Sequence, residues 1–155
     1  MTLITLLTDF GTTDAYVAEM KGRLLSLAPD ARLVDVSHTL APGDVRAAAY
    51  IIGRVWRQFP EGTVHLAVVD PGVGTERKAL AVAAHGHFFI GPDNGILTSV
   101  IRDARVSIAS LPIPDGVSST FHGRDVFAPA AGGLARGSGL GEIGEVFTGV
   151  PVPIL

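Results

Sequence analysis

No cysteine occurs in the 155 residues, which excludes a disulfide framework, a thiolate nucleophile and any metal site built on sulfur. The same absence suits a reducing compartment, and a cytoplasmic location is the expectation. An excess of basic charge is also missing: 12 Lys and Arg stand against 15 Asp and Glu, for a formal net charge of −3, and no basic run occurs. Nothing here would track a phosphate backbone, so nucleic acid is not an expected partner. Long hydrophobic runs are lacking as well. The segment Met1–Leu7 has no basic lead and no small-residue cleavage site, and it meets Asp9 before an apolar stretch could span a bilayer. It reads as a buried first strand, with no membrane association expected. Metal motifs are absent too: there is no His-x-x-Glu-His and no EF-hand loop, and the imidazoles of His85-Gly86-His87 would diverge from a strand turn.

What is present is apolar and turn-rich, with 47% hydrophobic residues, 19 glycines and 10 prolines. That is enough for one compact core and too little for two full-sized domains. Strands are expected at Leu3–Thr8, Arg32–Val36 and Thr63–Val69, with a hairpin pairing Ala79–Ala84 and His87–Ile90. Helices are expected over Ala15–Leu27, where Val17, Met20, Leu24 and Leu27 fall at helical spacing, and from an Asp44 cap to about Gln58. A short helix begins at Ile96, and a last one covers Ala128–Ala135. Alternating strands and helices predict an α/β fold, a layered sheet flanked by helices. No repeat or low-complexity segment occurs. The apolar ending Val150–Leu155 reads either as a linker or as an edge strand docking on the sheet.

Four short constellations carry candidate chemistry. Thr8-Asp9-Phe10-Gly11-Thr12-Thr13-Asp14 puts a carboxylate at the end of the first strand, where open α/β sheets bind ligands, and a carboxylate there suits a sugar diol. Alternatively, Asp9 and Asp14 cap the turn and the helix that follows. Val69-Asp70-Pro71-Gly72-Val73-Gly74-Thr75-Glu76-Arg77 ends an apolar strand in a tight turn that carries an acid and a guanidinium seven residues apart. Such a pair is either a fixed catalytic couple or a surface ion pair bracing a loop. Gly91-Pro92-Asp93-Asn94-Gly95 is a ready-made reversal and reads first as structural. Thr120-Phe121-His122-Gly123-Arg124-Asp125 places His122 before a helix, and histidine titrates near neutrality. His38, His65, His85 and His87 are read as hydrogen-bonded structural residues.

Taken in order and spacing, these segments, together with Val34-Asp35-Val36-Ser37-His38 and Phe59-Pro60-Glu61-Gly62-Thr63, resemble the S-adenosyl-L-methionine (SAM) hydrolases, or SAM hydroxide adenosyltransferases, a family related to the SAM-dependent fluorinases and chlorinases. The resemblance runs from Thr8 to Pro129. It implies attack of water or hydroxide on the ribose 5′-carbon of SAM, giving adenosine and L-methionine, with SAM as substrate and no metal or other cofactor. By the same resemblance Asp70, Arg77 and His122 hold and activate the water, Asp9 binds the ribose, and Asp14, Phe121 and Gly123 line the pocket. Residues 1–148 would then be the catalytic N-terminal domain and 149–155 the start of a linker to a β-rich C-terminal domain, with homotrimers placing each pocket between one subunit's first domain and a neighbour's second.

The chemistry of these residue types fits that reaction. A sulfonium leaving group becomes a neutral thioether, so an anionic nucleophile cancels charge as the transition state forms, with most effect where water is excluded. Asp70 would orient and polarise the water, Arg77 would stabilise developing negative charge, and His122 would complete the hydrogen-bond set or take the proton. Halogenation is the nearest alternative, but a carboxylate at Asp70 repels halide, and the halogenating relatives carry other residues at the positions matching Asp70, His122 and Gly123. Two further readings stay open. One is an inactive or nucleoside-binding fragment that needs a C-terminal domain; the other is an unrelated hydrolase using Asp9 and Asp14 as metal ligands.

Overall fold

The apolar runs become the inner strands of a seven-stranded mixed sheet. The structure, a computed structural model, describes residues 1–118 and 121–154; Thr120, which opens the fourth motif, and the terminal Leu155 lie outside them. The strands are β1 (Leu3–Thr8), β2 (Arg32–Ser37), β3 (Val64–Val68), β4 (Ala79–Ala84), β5 (His87–Pro92), β6 (Ser107–Ser110) and β7 (Glu145–Val146). The helices are α1 (Tyr16–Leu27), α2 (Val45–Val55), α3 (Thr98–Ile101), α4 (Ala128–Ala135) and α5 (Leu140–Ile143). Sheet order is β2-β1-β3-β5-β4-β6-β7. The first four strands in that order run parallel, and β4, β6 and β7 join antiparallel.

Layering follows from the two-residue period of a strand. On one face Ile4, Leu6, Val64, Leu66 and Val68 pack against Met20 and Leu24 of α1 and Ala131 and Leu134 of α4. On the other, Leu7, Ala67, Val69 and Phe89 pack against Ala48 and Ile52 of α2 and Val100 of α3. Strands covered on both faces read as continuous apolar runs, which is why β1 and β3 are legible in the sequence.

Most expected elements are present, with shifted ends. The helix capped by Asp44, whose side chain accepts the Ala47 amide, ends at Val55 and tightens into a 3₁₀ turn over Trp56–Gln58. The short helix begins at Thr98 rather than Ile96. Strands β6 and β7 and helix α5 were not anticipated, since two to four residues carry too little periodicity to read. Residues 150–154 join no strand. They run along the β5–α3 loop, where the Val152 amide donates to Asp93 Oδ1 (2.7 Å) and the Ile154 amide to Thr98 Oγ1 (2.8 Å).

Topology decides where chemistry can sit. After β1 the chain builds β2 on one side and then returns to build β3 on the other, so the carboxyl ends of β1 and β3 flank a switch point, where open α/β sheets leave a crevice. Thr8 pairs with Val68 across it. Asp9 and Asp70 follow directly.

Candidate active site

Asp70 and Arg77 meet because the loop between them folds back on itself. The Val73 amide donates to Asp70 O (3.1 Å), the Thr75 amide to Gly72 O (3.1 Å), and Gly74 takes the left-handed backbone (φ 82°) that this reversal requires. The Arg77 guanidinium then straddles the carboxylate: Nε donates to both Asp70 oxygens at 3.0 and 3.1 Å, and Nη2 donates to Oδ2. The two side chains are only 8% and 6% exposed. This is a buried couple and not a surface brace, and burying it costs desolvation that its hydrogen bonds must offset. Arg77 also lies 5.4 Å from the ring centre of Phe127, within cation–π range.

The same guanidinium reaches the histidine. Arg77 Nη2 lies 3.0 Å from His122 Nδ1, and because arginine only donates, Nδ1 must accept. The imidazole is therefore neutral with its proton on Nε2. Burial pushes the His122 pKa below the ordinary histidine value, and the positive charge of Arg77 pushes it further down, against opposing pulls from Asp70 and Asp125. His122 is buried at the start of an irregular π-helical turn, Gly123–Phe127, that leads into α4. Such turns are frequent at functional sites.

Asp70 and His122 border a cavity of about 70 Å³, together with Asp9, Phe10, Tyr16 and Gly123. That is room for a small nucleophile, a water taking roughly 30 Å³ in the liquid. Asp9 is held by the β2–α2 loop, its Oδ2 accepting the Gly43 amide at 2.7 Å. The other terminal nitrogen of Arg77, Nη1, is buried with no hydrogen-bond partner among the described residues. A larger, open groove of about 420 Å³ adjoins, sharing Phe10 and Tyr16 and bounded also by Asp14, Glu19 and Phe121. Its size and aromatic walls suit a small organic ligand.

The expected site residues thus divide. Asp9, Asp70, His122 and Gly123 border the small cavity, with Arg77 behind Asp70 and His122. Asp14 and Phe121 border the groove instead, and Asp14, one residue ahead of the Ala15 N-cap of α1, also accepts the Tyr16 amide at 2.9 Å. The Gly91–Gly95 turn is structural: Asn94 Nδ2 donates to Val69 O (2.9 Å), tying the turn to the residue before Asp70. The other four histidines are hydrogen-bonded: His38 to Thr8 and Asp35, His65 to Thr5 and His87, and His85 to Val100 O. Sequence reasoning missed Tyr16, which borders both spaces and whose hydroxyl accepts the Gly123 amide at 3.1 Å. Its only signal was an aromatic two residues beyond Asp14. Among the described residues no group of three or more His, Cys, Asp or Glu is placed to hold a metal ion, and no helix is long and apolar enough to cross a membrane.

Residues 4–144 match the model of the SAM hydroxide adenosyltransferase N-terminal domain. The chain belongs to that family. An (R)-S-adenosyl-L-methionine hydrolase of Salinispora arenicola is 45% identical over 150 residues, covering 91% of this chain and 56% of the relative. A fluorinase of Actinoplanes is 33% identical, covering 94% of this chain and 58% of its own length. The crystal structure of an uncharacterized conserved protein from Thermotoga maritima superimposes on the whole chain with a TM-score of 0.89 and 34% identity, over 62% of its own length. The chain thus spans between about half and two thirds of the relatives it matches, and it carries the family's N-terminal α/β domain.

Proposed function

We propose that this chain hydrolyses SAM, as the (R) epimer named for its relatives, to adenosine and L-methionine. The observation that carries the reading is the buried Asp70–Arg77–His122 cluster beside a water-sized cavity at the switch point. A water in that cavity would meet an anionic acceptor in Asp70, while His122, its Nδ1 engaged by Arg77, offers an Nε2–H donor. The water oxygen attacks ribose C5′, the C5′–S bond breaks with its electron pair passing to sulfur, and one proton leaves the water. His122 in this tautomer is a hydrogen-bond donor and not the base, which leaves Asp70 as the first acceptor of that proton. Arg77, held on Asp70, keeps the carboxylate oriented. Asp9, with Oδ2 tied to Gly43, presents its other oxygen to a ribose hydroxyl.

The groove walled by Phe10, Tyr16 and Phe121 would take the rest of the substrate. The reading includes the family's other expected features. Residues 1–148 act as the catalytic unit, and residues 149–155 lead towards a β-rich domain that completes the pocket in a cytoplasmic homotrimer. No metal or other cofactor takes part, so Asp9 and Asp14 are substrate contacts and not ligands. An acceptor at Asp70 suits water, which brings a proton to donate, over halide, which brings none.

The test is incubation of the purified chain with (R)-SAM, with and without EDTA and with and without fluoride or chloride, followed by chromatography of the nucleosides. Adenosine and methionine in equal amounts, lost in Asp70→Ala, support the proposal. A halogenated nucleoside, or activity that EDTA removes, overturns it. Activity only after a C-terminal domain is supplied identifies this chain as one half of the site.

A further inference from the structure

His122 can serve the site only if the turn that bears it is held in place, and the neighbouring Gly123 is where that turn is anchored. The Gly123 amide donates to Tyr16 Oη at 3.1 Å, across 107 residues of sequence. The contact is tight as well as polar: a Cβ on Gly123 would lie 3.0 Å from the same Tyr16 oxygen and 3.0 Å from Phe10 Cε2 and Cζ. Tyr16 is itself wedged, with its ring 4.3 Å from Phe10 in an edge-on contact and 5.8 Å from Phe121. It thus bridges the start of α1 to both neighbours of His122 in the chain. Burial raises the Tyr16 pKa, so the group stays a neutral phenol at neutral pH and accepts through a lone pair.

Resting on the proposed reading of the site, we infer that Tyr16 is a positioning residue: its hydroxyl oxygen, by accepting the Gly123 amide, holds the turn that presents His122 to Arg77 and Asp70. The charged groups around this contact are Arg124 and Asp125 on the Tyr16 side, with Glu19 paired to Arg124, and Arg77, Asp70 and Asp125 on the His122 side. Removing the phenolic oxygen changes none of these charges. It leaves a buried N–H without its acceptor and loosens the turn. The imidazole then gains solvent and drifts from Nη2 of Arg77, relieving the two influences that depress its pKa.

The experiment is the Tyr16→Phe variant of the full 155-residue chain, read in two ways. Nitrogen-15 NMR of the imidazoles without substrate follows the His122 tautomer and titration midpoint, and steady-state kinetics separates kcat from KM. The expected result is a His122 midpoint that climbs towards the ordinary histidine value, with kcat down about tenfold and KM little changed. An unmoved midpoint and tautomer overturn the inference, whatever the kinetics do. A raised KM at unchanged kcat also overturns it, because the hydroxyl would then serve substrate binding alone and not the placement of His122. Because the NMR readout needs no turnover, absence of SAM hydrolysis in the unaltered chain would sink the proposed function without touching this result. Should Tyr16→Phe fail to fold, Gly123→Ala attacks the same contact from the opposite side and must raise the His122 midpoint likewise.

Discussion

Arg77 stands between Asp70 and His122, donating from Nε and Nη2 to the carboxylate and from Nη2 to His122 Nδ1 at 3.0 Å. One planar guanidinium therefore fixes both the orientation of the acid and the tautomer of the imidazole. Lysine offers no fork with which to do this. Arg77→Lys should keep the charge yet lose the geometry, and under the proposed reaction kcat should fall by at least about a hundredfold with KM little changed. Kinetics with (R)-SAM checks it. A variant that bound weakly but turned over normally would place Arg77 on the substrate rather than on the reacting water.

Removing the acid should be costly twice. Asp70→Ala abolishes the proposed acceptor for the water proton and also strands a guanidinium whose side chain is only 8% exposed. Breaking a buried pair from one side costs about 3–5 kcal/mol of stability, whereas Asp70→Asn retains a hydrogen-bond acceptor and should cost less while remaining inactive. Denaturant unfolding of both variants, beside adenosine formation, separates the two roles. Equal stability in Asp70→Ala and the unaltered chain would mean that the pair is not buried in solution.

The fate of His122 with pH follows from its environment. With its pKa held below the ordinary value by burial and by Arg77, the imidazole is neutral across the neutral range. Acid puts a proton on the nitrogen that faces the guanidinium, so activity should be lost as pH falls and should not change as pH rises from 7 to 8. The acid limb of kcat/KM should lie below about pH 6.5, the value of a free histidine. An acid limb above that value would show that the His122 pKa is raised rather than lowered, and activity lost as pH rises through neutrality would show that His122 works in its protonated form.

Much of this site was legible because sequence pattern and chemistry coincide at strand ends. Asp9 and Asp70 stand out where the continuous apolar runs of β1 and β3 stop, and Asp70 and Arg77 lie within one short loop. Tyr16 was not legible, since its partner Gly123 is 107 residues away and a tyrosine opening a helix looks like any other. The His122 tautomer was hidden for the same reason, being set by an arginine 45 residues distant. At the far edge, β7 is a two-residue strand recruited only by pairing with β6, so no local signal exists to read.

A second histidine predicts acid instability without reference to catalysis. His65 is fully buried between Thr5 and His87, and burial pushes its pKa down to about 3. In the unfolded chain it protonates near pH 6.5. Between those values the unfolded state binds the additional proton, so stability is complete above about pH 7 and falls as pH drops, by about 1.4 kcal/mol per pH unit for this group. The lowered pKa of His87 acts in the same direction. Thermal unfolding between pH 6.5 and 4.5 should show this slope, and His65→Gln should flatten it. A slope unchanged by that substitution would assign the acid sensitivity elsewhere.

His38 supplies the last test, because it holds the Asp9 turn from two sides. Its Nδ1 is 2.7 Å from Thr8 Oγ1, its Nε2 is 2.7 Å from Asp35 Oδ1, and its carbonyl accepts the Gly11 amide at 2.7 Å. Asp35 is in turn paired with Lys21. Thr8 and Gly11 bracket Asp9, so a chain of bonds from the surface fixes the residue proposed to grip the ribose. A ribose contact exists before and during attack alike, and its loss is felt in binding. His38→Ala should therefore raise KM for (R)-SAM about tenfold, the equivalent of roughly 1.4 kcal/mol, while kcat changes little. Asp35→Asn, which keeps an acceptor for Nε2, should do much less. If kcat falls instead and KM holds, the turn acts on the reacting carbon, and Asp9 belongs with Asp70 in the chemical step.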